Sequence, residues 1–87
     1  MNAVFVYLIT FRSVTYAQRG ERVLSRAGER CALQRTPRWM EEQGCGDSLR
    51  VQTGNIGRAV SLLLGEQLPV RKVYLRKENG DLEEVTL

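Results

Sequence analysis

Residues 3–28, AVFVYLITFRSVTYAQRGERVLSRAG, contain the reading that decides the fold. The first part, Ala3–Phe11, is dense in β-branched and aromatic residues and apolar at both alternating positions. That pattern predicts a strand covered on both sides, hence a central one. Ser13 follows, a side chain suited to accept from the free amides of a helix's first turn. From Val14 to about Ala27 the period becomes helical. Tyr16, Ala17, Gly20, Val23, Leu24 and Ala27 gather on one side, and Arg19, Arg22 and Arg26 on the other. Gly28 then suits the left-handed position that ends a helix.

Working outward, Cys31–Arg35 (CALQR) alternates and predicts a second strand, which Thr36-Pro37 ends because proline cannot donate to a sheet. Residues 38–46 (RWMEEQGCG) have no period and read as a loop. Asp47–Gln52 predicts a third strand with Leu49 and Val51 facing in. Asn55 can cap a second helix, in which Ile56, Ala59, Val60 and Leu63 recur at helical spacing as far as about Glu66. Lys72–Arg76 is a fourth strand. Asn79-Gly80 predicts a two-residue hairpin turn, returning Leu82–Thr86 as a short edge strand. The order β-α-β-β-α-β plus a hairpin strand, joined by right-handed crossovers, gives one α+β domain over residues 1–87. It is a ferredoxin-like split β-α-β sandwich, with an antiparallel sheet carrying both helices on one face.

Composition then removes whole classes of chemistry. The chain of 87 residues contains no histidine, which excludes Cys-His and Ser-His catalysis and histidine metal sites. Its two cysteines, Cys31 and Cys45, cannot complete a four-ligand zinc or iron–sulfur site, so neither a metal nor a cofactor is expected. No apolar run approaches the ~20 residues of a membrane span, and no leader pattern is present, so the expected location is the cytoplasm. A structural disulfide is not expected there. The net charge of +3 is uneven: residues 1–40 hold seven arginines against Glu21 and Glu29, whereas residues 41–87 hold six basic and eight acidic residues. The basic end precedes the cysteine loop and suggests an anionic ligand or an acidic partner surface; a solvated helix face explains the helix arginines equally well.

The residue that stands out is Cys45, between Gly44 and Gly46 and seven positions after Pro37-Arg38. Flanking glycines leave a thiol open and let the backbone turn sharply. In the expected topology strands one and three are antiparallel neighbours. The start of strand three therefore lies beside the end of strand one, where the first helix begins. Cys45 is expected near Arg12, Ser13 and Arg38, with the free amides of the helix start adding partial positive charge. Each of these favours thiolate over thiol. Arg35 leaves strand two at the same end, and Arg50 is further away. Cys31, at the start of strand two, reads as packing, with a resolving thiol as the alternative; its distance from Cys45 disfavours a disulfide between them.

Phe11-x-Ser13, Ala17, Leu24, Pro37-Arg38, Cys45-Gly46 and Leu49-x-Val51, in that order and spacing, resemble the small bacterial domains of the selenium/sulfur carrier protein-like family. The resemblance covers roughly residues 4 to 75 and leaves out the last hairpin. It implies a carrier that holds sulfur or selenium on Cys45 as a persulfide or perselenide. A desulfurase-type donor would load it and an acceptor protein would take the atom, with Trp39 and Met40 as exposed apolar contacts; Trp39 reads equally as a lid packed on the core. Arg30–Arg35 (RCALQR) is more polar than the second strand expected in the family.

Other classes compete. A nucleic-acid-binding module would use the net positive charge and stack bases on Phe5, Tyr7 and Tyr74 of an open sheet face. Against it, no RNP1-like run is present and acids outnumber bases in the second half. A regulatory subunit could pair two copies through the apolar double face of strand one, and a homodimer also fits a carrier. A thiol enzyme would have to use Glu41, Glu42 or Asp47 for acid–base work. A carrier fits this inventory better than a stand-alone enzyme.

Overall fold

The first strand, β1 (Phe5–Thr10), leads through Arg12 and Ser13 into the first helix, α1 (Val14–Arg26). The computed structural model describes residues 3–36 and 46–86 of the chain. Within them follow β2 (Arg30–Arg35), β3 (Asp47–Thr53), α2 (Ile56–Gly65), β4 (Lys72–Arg76) and β5 (Leu82–Glu84). The sheet has the order β2-β3-β1-β4-β5, and every neighbouring pair is antiparallel. β1 is central, as its two-sided apolar pattern requires. The class is α+β.

Side-chain parity decides where the core lies. Ile9 faces Leu49 on one side and Val73 on the other, and Tyr7 faces Val51 and Leu75. Ile9, Leu49, Val51 and Val73 bury one face of the sheet together with Ala17 and Leu24 of α1 and Ile56, Ala59, Val60 and Leu63 of α2. Both helices therefore cover the same face. Phe11 ends outside β1 but is fully buried in this core. Fully burying side chains such as Phe11, Ile9, Leu24 and Leu63 stabilises by about 1.5–3 kcal/mol each. On the opposite face, among the described residues, Leu8 and Tyr74 form a small buried apolar pair flanked by Leu82, and Thr10 and Ser48 are buried beside it.

The helix ends follow their sequence signals. Ser13 Oγ accepts from the Tyr16 amide at 3.2 Å, and Asn55 Oδ1 from the Arg58 amide at 3.1 Å. α1 closes on Gly28 at φ 85°, with the Glu29 amide donating to the Leu24 carbonyl and the Gly28 amide to that of Ser25. α2 closes in the same way, but the left-handed position is held by Gln67 at φ 62°. There the Leu68 amide donates to the Leu63 carbonyl, and Leu68 is buried against the core.

The hairpin departs from the expected two-residue turn. A turn of that kind with Asn79-Gly80 at its centre needs positive φ at both residues. Gln67 is the only non-glycine residue with positive φ among those described, so Asn79 does not adopt it. Instead the Gly80 amide donates to the Lys77 carbonyl at 2.9 Å, and the Lys77 amide to that of Asp81 at 2.8 Å. The loop is Glu78-Asn79-Gly80, with Gly80 at φ 91°. Asn79 Oδ1 accepts from the Asp81 amide, so its side chain reinforces the turn rather than defining its centre. β5 is also shorter than expected, ending at Glu84, although the Val85 amide still donates to the Val73 carbonyl.

Candidate functional site at one end of the sheet

Thr10 is opposite Ser48 of β3 and Lys72 of β4. Continuing the β1–β3 register two residues further sets Gly46 level with Arg12, which is where the chain turns into α1. Arg35 pairs with Asp47, and one residue beyond it the Thr36 amide donates to the Gly46 carbonyl at 2.9 Å. The two stems of segment 37–45 are thus held together at the end of the sheet from which α1 departs. Of the expected site residues, Arg12, Ser13 and Gly46 lie at this end of the sheet. Arg38, Gly44 and Cys45, with Trp39, Met40, Glu41 and Glu42, lie outside the described residues.

The electrostatics of this end are positive. α1 has no acidic residue in its first turn. Ser13 satisfies Tyr16, but the Val14 and Thr15 amides have no acceptor among the described residues. Such helix starts carry partial positive charge. Arg12 is exposed and has no ion-pair partner among the described residues. Two further cations belong to this end and were missed in the sequence reading. The Arg71 amide donates to the Thr10 carbonyl at 2.9 Å, and Lys72, paired with Glu84 at 3.6 Å, starts β4. The signal was available: a fourth strand antiparallel to the first must begin where the first one ends.

Ser48, three residues beyond Cys45 in sequence, adds an unusual feature. It is fully buried, and its Oγ has no hydrogen-bond partner among the described residues. A buried hydroxyl without a partner costs about 1–3 kcal/mol relative to a satisfied one, so it is seldom kept without cause.

Cys31 is far from this end. It pairs with Val51, five residues before Thr36 on β2, or about 16 Å along the strand. Its Sγ is 3.5 Å from Ser25 Oγ and 3.6 Å from the Glu21 carbonyl oxygen. Burial pushes its pKa up; the Ser25 hydroxyl opposes this, and Glu21 and Glu29 add to the rise. This is the environment of a packed, protonated thiol, in line with the packing role read from the sequence. Arg50 lies in mid-strand on the face away from the helices, not at the end where Thr36 meets Gly46.

The aromatics invoked for base stacking do not share an open face. Tyr7 points into the helix-covered core, and Phe5 shares its side of the sheet by parity. Tyr74 is on the open face but is only 9 % exposed. The helix arginines Arg19, Arg22 and Arg26 are all exposed to solvent. No helix among the described residues is long and apolar enough to cross a membrane.

These features define a small α+β domain that presents the stems of a cysteine-bearing segment beside a positively charged helix start. The chain belongs to the family described as "Putative Se/S carrier protein-like", which matches residues 6–75. The match takes in β1 to β4 and leaves β5 outside. Comparison with curated proteins and with solved structures gave no match.

Proposed function

We propose that this protein carries sulfur or selenium on Cys45 and hands it from a donor protein to an acceptor. The observation that carries the reading is the stem geometry. Cys45 is bonded directly to Gly46, whose carbonyl is fixed by Thr36 at the positive end of the sheet. Family membership supports the cargo, and the histidine-free composition supports thiol chemistry that needs no imidazole.

The transfer is a sulfur exchange without net oxidation. The Cys45 thiolate attacks the terminal sulfur of a persulfide on the donor. A bond forms between Cys45 Sγ and that sulfur, the donor's sulfur–sulfur bond breaks, and the donor cysteine leaves as a thiolate. Thiolate fraction, access and leaving-group acidity set the rate. Cations near the stems, Arg12 among them and Arg38 as read from the sequence, favour the thiolate and the persulfide anion. The donor is of the pyridoxal-dependent desulfurase class.

Intact mass after incubation with a cysteine desulfurase and cysteine tests this. The protein should gain the mass of one sulfur atom, retain the gain in Cys31→Ser and lose it in Cys45→Ser. An unchanged mass with several desulfurases, or a gain that persists in Cys45→Ser, would overturn the reading.

A further inference from the structure

The sheet face opposite the helices has a surface that the carrier reading does not use. Val4, just before β1, and Val6 and Leu8 within it follow one another on this side; Val4 is exposed, Val6 half-buried and Leu8 buried at the floor. Leu8 is opposite Arg50 on β3, and Val6 is opposite Arg76 on β4, so an arginine flanks the apolar row on each side. Both arginines are exposed. With Val6, Leu8, Gln34 and Leu82 they line a groove of about 250 Å³. A second concavity, of about 560 Å³, shares Val6 and Arg76 and extends the row past Val4, which is 65 % exposed. Arg30, exposed on the same face of β2, adds a third cation. None of the three arginines has an ion-pair partner among the described residues, whereas Lys72 at the far end of the face is paired with Glu84.

We propose that this groove docks an acidic amphipathic helix of a partner protein. The dimensions fit. The strands flanking β1 are about 9–10 Å apart, close to the diameter of a helix of about 10 Å. A helix lying along the start of β1 would set an apolar stripe on Val4 and Val6, over the buried Leu8, while carboxylates on its two shoulders reach Arg50 on one side and Arg76 on the other. Guanidinium groups suit this task because they bind carboxylates through two parallel donors. Apolar anchoring with flanking charge is the usual form of helix-in-groove recognition. A second copy of this chain fits poorly, since it would bring the same unpaired arginines against these. Single-stranded RNA would find phosphate-binding cations here, but Tyr74 beneath the groove is buried, and among the described residues that leaves Phe5, at the far end of the second concavity, as the one ring to stack on. The proposal stands whether or not Cys45 carries sulfur.

The test is an NMR titration of the full chain with a lactam-stapled helical peptide that has leucines at helical spacing flanked by glutamates. Saturable amide shifts should appear at Val4, Val6, Leu8, Arg50, Arg76 and Leu82 and weaken with added salt. Replacing the peptide's glutamates by glutamine should weaken binding about tenfold or more, without any change to the protein. The double variant Arg50→Glu with Arg76→Glu should do the same. Its dispersed spectrum reports that it is folded, and Arg50→Gln with Arg76→Gln serves if it is not. Equal binding of the glutamine peptide, or absence of binding, sinks the proposal. So do shifts confined to Arg19, Arg22 and Arg26 on α1, a preference for an oligouridylate at the same amides, and self-association through this face.

Discussion

At Cys31 a thiol is held between a helix and a sheet edge, with a hydroxyl and a carbonyl within 3.6 Å and two carboxylates nearby. Burial is the largest influence and disfavours the charged form. Its folded pKa is therefore above the ordinary 9.0. A group raised in this way contributes stability that is intact below the unfolded value and lost as pH climbs through the folded one. Stability should thus fall from about pH 9 upward, and Cys31→Ala should flatten that decline. In Cys45→Ser protein, the iodoacetamide rate at Cys31 should reach half its maximum above pH 9.0. A half-point at or below that value would contradict the burial argument. The packed role of Cys31 was legible in its apolar neighbours. Its Ser25 contact was not, because it depends on how closely α1 approaches β2, which no local pattern encodes.

Single elements show how closely sequence and structure correspond. α1 and α2 begin at the residues after Ser13 and Asn55 because each cap satisfies an amide that otherwise lacks an acceptor. The hairpin was misread because Asn-Gly is the signature of one turn and also fits another, and only Asn79's backbone angle distinguishes them. Gly20 shows what periodicity cannot. A Cβ there would be 3.0 Å from Phe11 Cζ and 3.4 Å from Leu63 Cδ2, so the bare backbone lets α1 lie close to both. The Phe11 ring is fully buried and has nowhere to swing. Gly20→Ala should destabilise by about 1–2 kcal/mol, since overpacking of about 1–3 kcal/mol outweighs a helix gain of up to about 1 kcal/mol. Gln67→Gly should act in the opposite sense, relieving about 1 kcal/mol of left-handed strain at the end of α2. Urea denaturation of the two variants gives both signs; a stabilised Gly20→Ala would mean that the core yields there.

For the molecule as a whole, the part beyond residue 75 is structural even though the family match stops short of it. β5 pairs with β4, Leu82 packs on Leu8 and Tyr74, and Val85 packs against the main core. Truncation after Lys77 should lower stability by about 2–3 kcal/mol, the scale of losing two partly buried aliphatic side chains. Urea midpoints of the full and shortened chains measure it, and equal midpoints would show that β5 is an ornament. The sheet order followed from the β-α-β-β-α-β pattern, and from that order followed the end of the sheet at which Arg12, Ser13 and Gly46 lie. The open-face arginines did not stand out, because Arg50 and Arg76 are far apart in sequence and only the pairing of both strands with β1 brings them to one groove. The two rims of the sheet have a last consequence. One rim, β2, carries Arg30 and Arg35, and the other, β5, is three residues long and ends in Glu83 and Glu84. Charge on one side and brevity on the other deny an incoming chain the long bare row of backbone groups that fibril growth requires. The two rims thus blunt strand-on-strand growth by different means.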